Sequence, residues 1–295
     1  MKIGAVIDGG ANYPIRNYSP IIYHRKWVSG KIGNIGNNII NLISCFGNNK
    51  IARERPEWVA VSKYGRATRK NVRHRFLWDW ICPSEKEYKD FLLDLIKETA
   101  AADIAGVHLD CISFPRQEYC TCQRCVENRE ESNLGWVEWR AKTVNDFVGN
   151  ASKLVRGNGK TFSVTLTPDP YFGKERYGED VLLLSEHVDF FCVPLYDMTY
   201  SSEYWVETLT YGFRKQLEKP FYIWIYTANP GPPIGRRLLE AIAVACEYTD
   251  GIVLASYDTP RAEEVWDEFS KDQNILGFLD RRGCEEFTSV IRKKV

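Results

Sequence analysis

The chain has 295 residues, 44% of them hydrophobic, with 39 Lys and Arg balanced by 39 Asp and Glu. This length suits one large α/β domain as well as two small ones, with a core that needs no disulfide staples. The charge balance excludes the one-signed surface of a dedicated nucleic-acid or membrane binder. No stretch approaches the roughly 18 apolar residues of a membrane span. Met1-Lys2-Ile3 runs straight into a strand pattern without the layout of a signal peptide. The expectation is a cytoplasmic protein whose nine cysteines are thiols or metal ligands.

In chain order, the strand candidates are 3–8, 39–45, 76–82, 105–110, 161–167, 189–196, 221–226 and 251–257. Each is short, rich in β-branched or aromatic residues, and nearly continuous in its apolar character, as fully buried strands are. Helical patterns fall at 84–102, 134–156, 178–186, 203–217, 234–248 and 260–270. Ser84-x-x-Glu87 has the form of a capping box, and Thr259-Pro260 that of a cap followed by a first-turn proline. Eight strands with intervening helices in fewer than 300 residues predict a single-domain (β/α)₈ TIM barrel over 1–295. A dinucleotide fold is disfavoured, since no Gly-x-Gly-x-x-Gly turn follows the first strand. Two segments exceed a minimal barrel: 9–38 reads as an irregular excursion after strand one, and 46–75 as a long loop after strand two.

Five apolar runs end in aspartate, at Asp8, Asp110, Asp169, Asp197 and Asp258. In a parallel barrel the carboxyl ends of the strands share one mouth, so these carboxylates would converge. Paired carboxylates are what glycosidic hydrolysis requires. A single strand-end aspartate is equally well a helix cap or a turn former, and Asp8-Gly9-Gly10 and Asp169-Pro170 read as turns. With a period of two, His108 and Asp110 share a strand face. His108, Tyr196, Trp224, Tyr226, Asp8 and Trp80 are candidate substrate contacts, although core packing explains a lone histidine or a strand-end aromatic as readily.

Gly106-Val107-His108-Leu109-Asp110 followed by Phe114-Pro115 resembles a segment of uncharacterised glycoside-hydrolase-like barrels. Pro56-Glu57-Trp58-Val59, the Ser62-Lys63-x-Gly65-Arg66 turn and Cys82-Pro83-Ser84 resemble the same group. The resemblance is strong between residues 55 and 140. It implies that Asp110, ending strand four, is the catalytic nucleophile, and that a strand-six carboxylate, here Asp197, is the acid/base, with Asp258 next in line. The tyrosine and arginine usual in the strand-four segment are Cys111 and Ser113 here.

Cys120, Cys122 and Cys125 lie within six residues and have the spacing to share a Zn²⁺, which needs a fourth ligand from Cys82 or Cys111. The run is similar to the cysteine cluster of glycoside hydrolase family 42 β-galactosidases, where an upstream cysteine completes the site, and this implies Cys82. Such a zinc would be structural; free thiols or a redox pair are the alternative. Lys63, Arg66, Arg69, Lys70, Arg73 and Arg75 fall within thirteen residues. They form either a solvated loop or a lid that attracts an acidic sugar, with an RNA-contacting patch as a further reading.

The leading expectation is a glycoside hydrolase acting on a small saccharide or glycoside through paired aspartates. The alternative is a catalytically silent sugar- or protein-binding barrel with a structural zinc, which the changes at Cys111 and Ser113 favour. A metal-dependent hydrolase using Asp8, His108 and Asp258 ranks last, because the paired histidines expected on strand one are absent. The expected partner is a carbohydrate, with no membrane or nucleic acid, and a homo-oligomer is compatible with the sequence.

Overall fold

The computed structural model describes residues 2–8, 18–197, 200, 202–228 and 233–292. Eight strands close into a barrel: β1 (Lys2–Ile7), β2 (Ile21–Lys26), β3 (Ile40–Ser44), β4 (Gly106–Asp110), β5 (Thr161–Thr165), β6 (Phe190–Leu195), β7 (Phe221–Tyr226) and β8 (Gly251–Tyr257). Each strand neighbours its sequence successor, and β8 closes on β1, which is the order of a (β/α)₈ barrel. The fold class expected from the sequence is the one observed.

The second expected strand, 39–45, is observed as β3, whereas the third, 76–82, is not a barrel strand. Residues 76–82 stay outside the barrel and make only two isolated antiparallel bridges, Trp80 with Gly47 and Ile81 with Val59. Their apolar character is partly surface, since Leu77 and Trp78 are exposed. The missing strand is Ile21–Lys26, inside the stretch read as an irregular excursion. Its His-Arg-Lys ending suggests a solvated loop, yet Arg25 and Lys26 are buried. The long connection therefore follows β3 rather than the second strand. It holds α1 (Asn49–Glu54) and a short ribbon in which Val61–Ser62 pairs with Gly65–Arg66.

The chain divides into two compact units, 24–189 and 1–23 with 190–295. In the first, α2 (Lys86–Ala100) begins one residue after the expected capping box would place it. Its cap is Glu85, whose carboxylate accepts the Glu87 N–H, while the Ser84 N–H turns to the Cys82 sulfur at 3.4 Å. After β4 come α3 (Gln123–Ser132) and α4 (Trp136–Arg156). One face of α4 buries Trp139, Val144, Phe147, Val148 and Val155, and Phe147 packs on Phe46 at 5.0 Å between centroids. Side chains of this size each stabilise the fold by about 1.5–3 kcal/mol when buried. Two short helices follow β5, α5 (Gly173–Tyr177) and α6 (Val181–Ser185). Gly106 opens β4 because a Cβ there would sit 2.4 Å from the Thr161 carbonyl oxygen of β5.

In the second unit, α7 (Glu203–Gln216) and α8 (Arg236–Cys246) pack together, and α9 (Thr259–Lys271) lies against β8 and β1. The cap of α9 is Asp258, not Thr259: its carboxylate accepts the Arg261 N–H at 2.7 Å. Beyond the expected helices come α10 (Gln273–Arg281) and α11 (Glu285–Arg292), where Trp266, Phe269 and Phe287 form an edge-to-face trio. Among the described residues no helix is long and apolar enough to cross a membrane.

Candidate functional site

Strand faces in the 24–189 unit follow from one ion pair. Arg25 reaches Glu98 of α2 at 2.6 Å, so its side of β2 faces the helices. With a period of two, His24 and Lys26 point into the barrel. On β4, His108 and Asp110 share a face in the same way. His108 is fully buried, with Nδ1 2.8 Å from the Ser163 hydroxyl and Nε2 2.7 Å from that of Thr165, both on β5. Burial, reinforced by nearby His24, pushes its pKa down to about 3, so the ring is neutral and both nitrogens are engaged.

Asp110 is half-buried at the carboxyl end of β4, with the Cys111 sulfur 3.5 Å from Oδ2. Its register partner across the sheet is Ser44 of β3. The Ser44 carbonyl accepts a hydrogen bond from the Lys26 ammonium, which is entirely out of solvent. Burial drags the Lys26 pKa down to about 8, against the opposing pull of Cys45, Cys111 and Asp110. Burial pushes the Cys45 and Cys111 thiols upward, so both stay protonated beside it.

Glu179, between α5 and α6, is a site residue the sequence reading missed. Oε2 accepts the Thr167 N–H at 2.8 Å and Oε1 the Thr167 hydroxyl at 2.9 Å, and Ser113 supplies a further hydrogen bond. Burial is the main cause raising its pKa to about 7; the hydrogen bonds oppose this and the charge of Asp110 adds to it. Gly178 makes the approach feasible, with φ at 78° and Arg140 backbone 3.0 Å from where a Cβ would be. Glu179 lies fourteen residues beyond the end of β5, so no strand-end pattern marks it; the preceding glycine is the only local signal.

Within the other unit, Tyr196 and Asp197 are exposed just past β6, and the Tyr196 ring meets that of Tyr226 at 5.4 Å. The Tyr200 hydroxyl donates to the Leu195 carbonyl and accepts the Tyr226 N–H. Trp224 is buried, and Asp8 is half-buried with its N–H on the Tyr257 carbonyl. The Asp258 carboxylate serves the α9 cap described above. Asp169, read as a turn residue, accepts the Phe172 N–H at 3.0 Å and pairs with Arg176.

Backbone strain also concentrates at strand ends. Among the described residues, five non-glycine residues have positive φ; two are asparagines, which tolerate that region, and the others are Cys111 at 54°, Tyr200 at 44° and Tyr257 at 60°. Each such residue costs on the order of 1–3 kcal/mol, and such outliers cluster at functional sites.

Cys82, Cys120, Cys122 and Cys125 come together with all four sulfurs within 4.8 Å of one another. Cys82 lies 3.3 Å from Cys125 and 3.8 Å from Cys122. A tetrahedral tetrathiolate with metal–sulfur bonds of about 2.3 Å has edges of about 3.8 Å, so the donor set fits such a metal. The Val61 N–H points at the Cys120 sulfur and the Arg124 guanidinium at that of Cys122, as thiolates require. Cys111, the other candidate ligand, lies instead against Asp110 and Gly47. None of the nine cysteines forms a disulfide.

The cluster joins the connection after β3 to the one after β4. Thr121 N–H donates to the Val61 carbonyl at 2.8 Å, and the Asn71 amide reaches the Tyr119 hydroxyl at 3.2 Å. Tyr64, His74, Phe76 and Tyr119 pack as an aromatic knot beneath the basic arm. Lys63, Arg66, Arg69, Lys70, Arg73 and Arg75 are all exposed, and among the described residues only Arg69 forms an ion pair, with Asp79. Trp80, half-buried, closes the arm by bridging to Gly47.

Residues 15–229 match the family described as "Putative glycosyl hydrolase domain", and the chain belongs to that family. No curated protein sequence matches it. Among solved structures it is similar to α-L-fucosidase isoenzyme 2 from Paenibacillus thiaminolyticus, with TM-score 0.62, 12% identity, and coverage of 90% of this chain and 48% of that one. The spore cortex-lytic enzyme SleL of Bacillus megaterium QM B1551 gives 0.53 and 13%, covering 91% and 74%. Ega3 of Aspergillus fumigatus, in complex with galactosamine, gives 0.50 and 10%, covering 87% and 91%. At such identities the likeness is one of fold, and the chain spans about half the length of the fucosidase.

Proposed function

We propose that the chain hydrolyses a glycosidic bond of a small saccharide or glycoside, with Asp110 as the carboxylate that attacks or stabilises the anomeric carbon. The observation that carries this reading is the setting of Asp110: half-exposed at the end of β4, near a buried lysine and a buried glutamic acid, in a member of a glycosyl hydrolase family. Hydrolysis needs a second carboxyl group to protonate the departing oxygen. Asp197 is the candidate the sequence resemblance implies. Glu179 is its rival, because a carboxyl group that holds its proton near neutrality has the property an acid catalyst requires.

The basic arm favours a substrate bearing carboxylate, sulfate or phosphate groups, since only one of its six cations, Arg69, forms an ion pair among the described residues. The tetrathiolate cluster is the proposed seat of a structural Zn²⁺. With four protein ligands it would offer no open position for chemistry, and would brace the two connections that flank Asp110.

The test is a panel of neutral and acidic aryl glycosides and oligosaccharides with wild type and Asp110→Asn. Turnover by wild type and loss of about 10⁴-fold or more in the variant is the expected result. The anomer first released, read by proton NMR, assigns retention or inversion. A silent binding barrel is the second reading, favoured by the use of Asp258 as a helix cap. Binding of the panel without turnover would establish it.

A further inference from the structure

The arm between Val59 and Asp79 carries two kinds of side chain, and the hydrolytic scheme uses only one of them. Its six cations lie in a stretch with no acidic residue between Glu57 and Asp79. Both flanking carboxylates are taken, Glu57 by Arg55 at 2.6 Å and Asp79 by Arg69 at 3.3 Å. The same stretch holds Val72, wholly exposed, and Leu77, 77% exposed, with Trp78 at 38%. Val72 and Leu77 are the two most exposed large apolar side chains among the described residues. A lone exposed apolar residue needs no explanation, but a cluster of them set among unpaired charges marks an interaction surface.

The turn that presents Val72 is braced. The Asn71 amide donates to the Tyr64 carbonyl at 2.9 Å and to that of Arg66 at 2.8 Å. Its oxygen accepts the N–H groups of Arg73 and His74 at 2.9 and 2.8 Å. Beyond it the chain alternates. His74 and Phe76 turn inward against Tyr119, at 6.0 and 5.4 Å between ring centroids, while Arg73, Arg75 and Leu77 are exposed. Packing the rings on one side leaves cations and aliphatic chains together on the other.

We infer that the arm is a peripheral docking surface for an anionic lipid bilayer, with Lys63, Arg66, Lys70, Arg73 and Arg75 on the headgroup phosphates and Val72, Leu77 and Trp78 entering the interface. Anionic headgroups attract each cation, and the acyl boundary takes up the apolar chains. The aliphatic residues separate a bilayer from a soluble polyanion. A base or a pyranose ring is met by a flat aromatic face. Tyr64 is covered by Lys63 and Arg73, at 5.0 and 5.5 Å from its centroid, and of the arm's rings only Trp78 is exposed among the described residues. An exposed valine and leucine offer nothing to a sugar hydroxyl or a phosphate, whereas a bilayer buries them. Attachment is peripheral, since among the described residues no helix is long and apolar enough to cross a membrane. The chain as a whole is neutral, so the attraction is local to the arm. On the connection after β4 that packs against it, Arg116 lies over Phe76 at 6.0 Å and Glu118 is exposed, and these two charges offset each other.

Docking stands without the glycosidase reading. Under that reading it specifies the substrate: the arm leaves the barrel after β3, beside the strand that ends in Asp110, so the acidic groups it favours are those of the surface bearing the saccharide.

The experiment is flotation of the full chain with lipid vesicles. It compares wild type, the pair Val72→Ser and Leu77→Ser, and the triple Arg66→Ser, Arg73→Ser and Arg75→Ser. Vesicles of phosphatidylcholine alone are set against phosphatidylcholine and phosphatidylglycerol in equal parts. Heparin and a single-stranded RNA oligonucleotide serve as soluble polyanions. Wild type should float with the anionic vesicles and not the neutral ones, and should detach as salt is raised. The triple variant should bind them about 10²-fold more weakly, at about fivefold per cation. The apolar pair should lose about tenfold or more on vesicles and bind heparin and RNA as wild type does. All five positions are exposed, and circular dichroism checks that the fold is kept. Absence of binding to anionic vesicles at low salt overturns the inference and leaves the glycosidase reading standing, because no turnover is read. Vesicle binding that the apolar pair keeps at wild-type strength also overturns it, and makes the arm a site for a soluble polyanion, acidic saccharide or RNA according to which probe binds more tightly.

Discussion

Both carboxylate oxygens of Glu179 are held by a single residue, Thr167, one through its N–H at 2.8 Å and the other through its hydroxyl at 2.9 Å. Two such bonds ordinarily favour the ionised form, yet burial outweighs them and the group titrates near 7. The sequence distance is twelve residues, but the contact closes the loop after β5 so that a carboxyl group is presented beside the strand-four segment.

That raised pKa has a sign in stability. The native state keeps the proton from about pH 4.5 to about 7 while the unfolded chain releases it, so stability falls as pH rises through that window. Glu179→Gln should flatten the dependence. Above pH 7 it should gain up to about 3 kcal/mol. The glutamine oxygen can accept the Thr167 N–H and its amide can donate to the Thr167 hydroxyl, so the loop is preserved. Chemical denaturation at pH 5 and pH 8 checks this; equal slopes in both proteins would refute it.

Lys26 titrates the other way. Its native pKa of about 8 lies below the ordinary 10.5, so the burden on stability is complete below pH 8 and gone above 10.5. Lys26→Met should therefore be more stable than wild type at neutral pH by up to about 3 kcal/mol, with the difference shrinking as pH rises through 8 to 10.5. Urea midpoints at pH 7 and pH 10 read the effect directly.

The leaving-group response separates the two candidate acids. Loss of the group that protonates the departing oxygen should slow alkyl glycosides by about 10²–10⁴-fold and leave activated aryl glycosides nearly untouched. Asp197→Asn and Glu179→Gln should differ in this respect, and only one should show it. A uniform loss across leaving groups in both would remove both from the role.

Metal analysis of purified protein should find close to one zinc per chain, lost in Cys122→Ser. Its removal unties the connections after β3 and β4, and a loss of only about 3 kcal/mol would lower the melting temperature by about 5–10 °C. A melting temperature insensitive to chelation, with no metal bound, would dispose of the zinc.

For the basic arm, Arg66→Ser, Arg73→Ser and Arg75→Ser combined should raise KM for acidic glycosides and not for neutral ones. The wild-type preference should decline as ionic strength rises. These side chains are exposed, so the fold should be unaffected.

The barrel was legible in the sequence because seven of its strands are apolar runs buried on both faces, and such runs announce themselves whatever surrounds them. Asp110 was legible for the same reason, since it ends one of those runs. The three-cysteine spacing was legible because thiols so close along the chain are close in space. β2 was not legible: Ile21–Lys26 ends in residues that look solvated, and only closure of the sheet gives Arg25 its Glu98 and buries Lys26 against Ser44. The apolar run 76–82 misled in the opposite direction, because hydrophobicity reports burial or surface aromatics without saying which backbone pairs with which. Glu179 and the approach of Cys82 to its three partners are long-range contacts. The sequence alone set which residues are apolar enough to be strands and which can ionise. Tertiary structure decided which of those charges lost their water, and with it where the unusual protonation lies, because desolvation depends on neighbours the chain brings together only by folding.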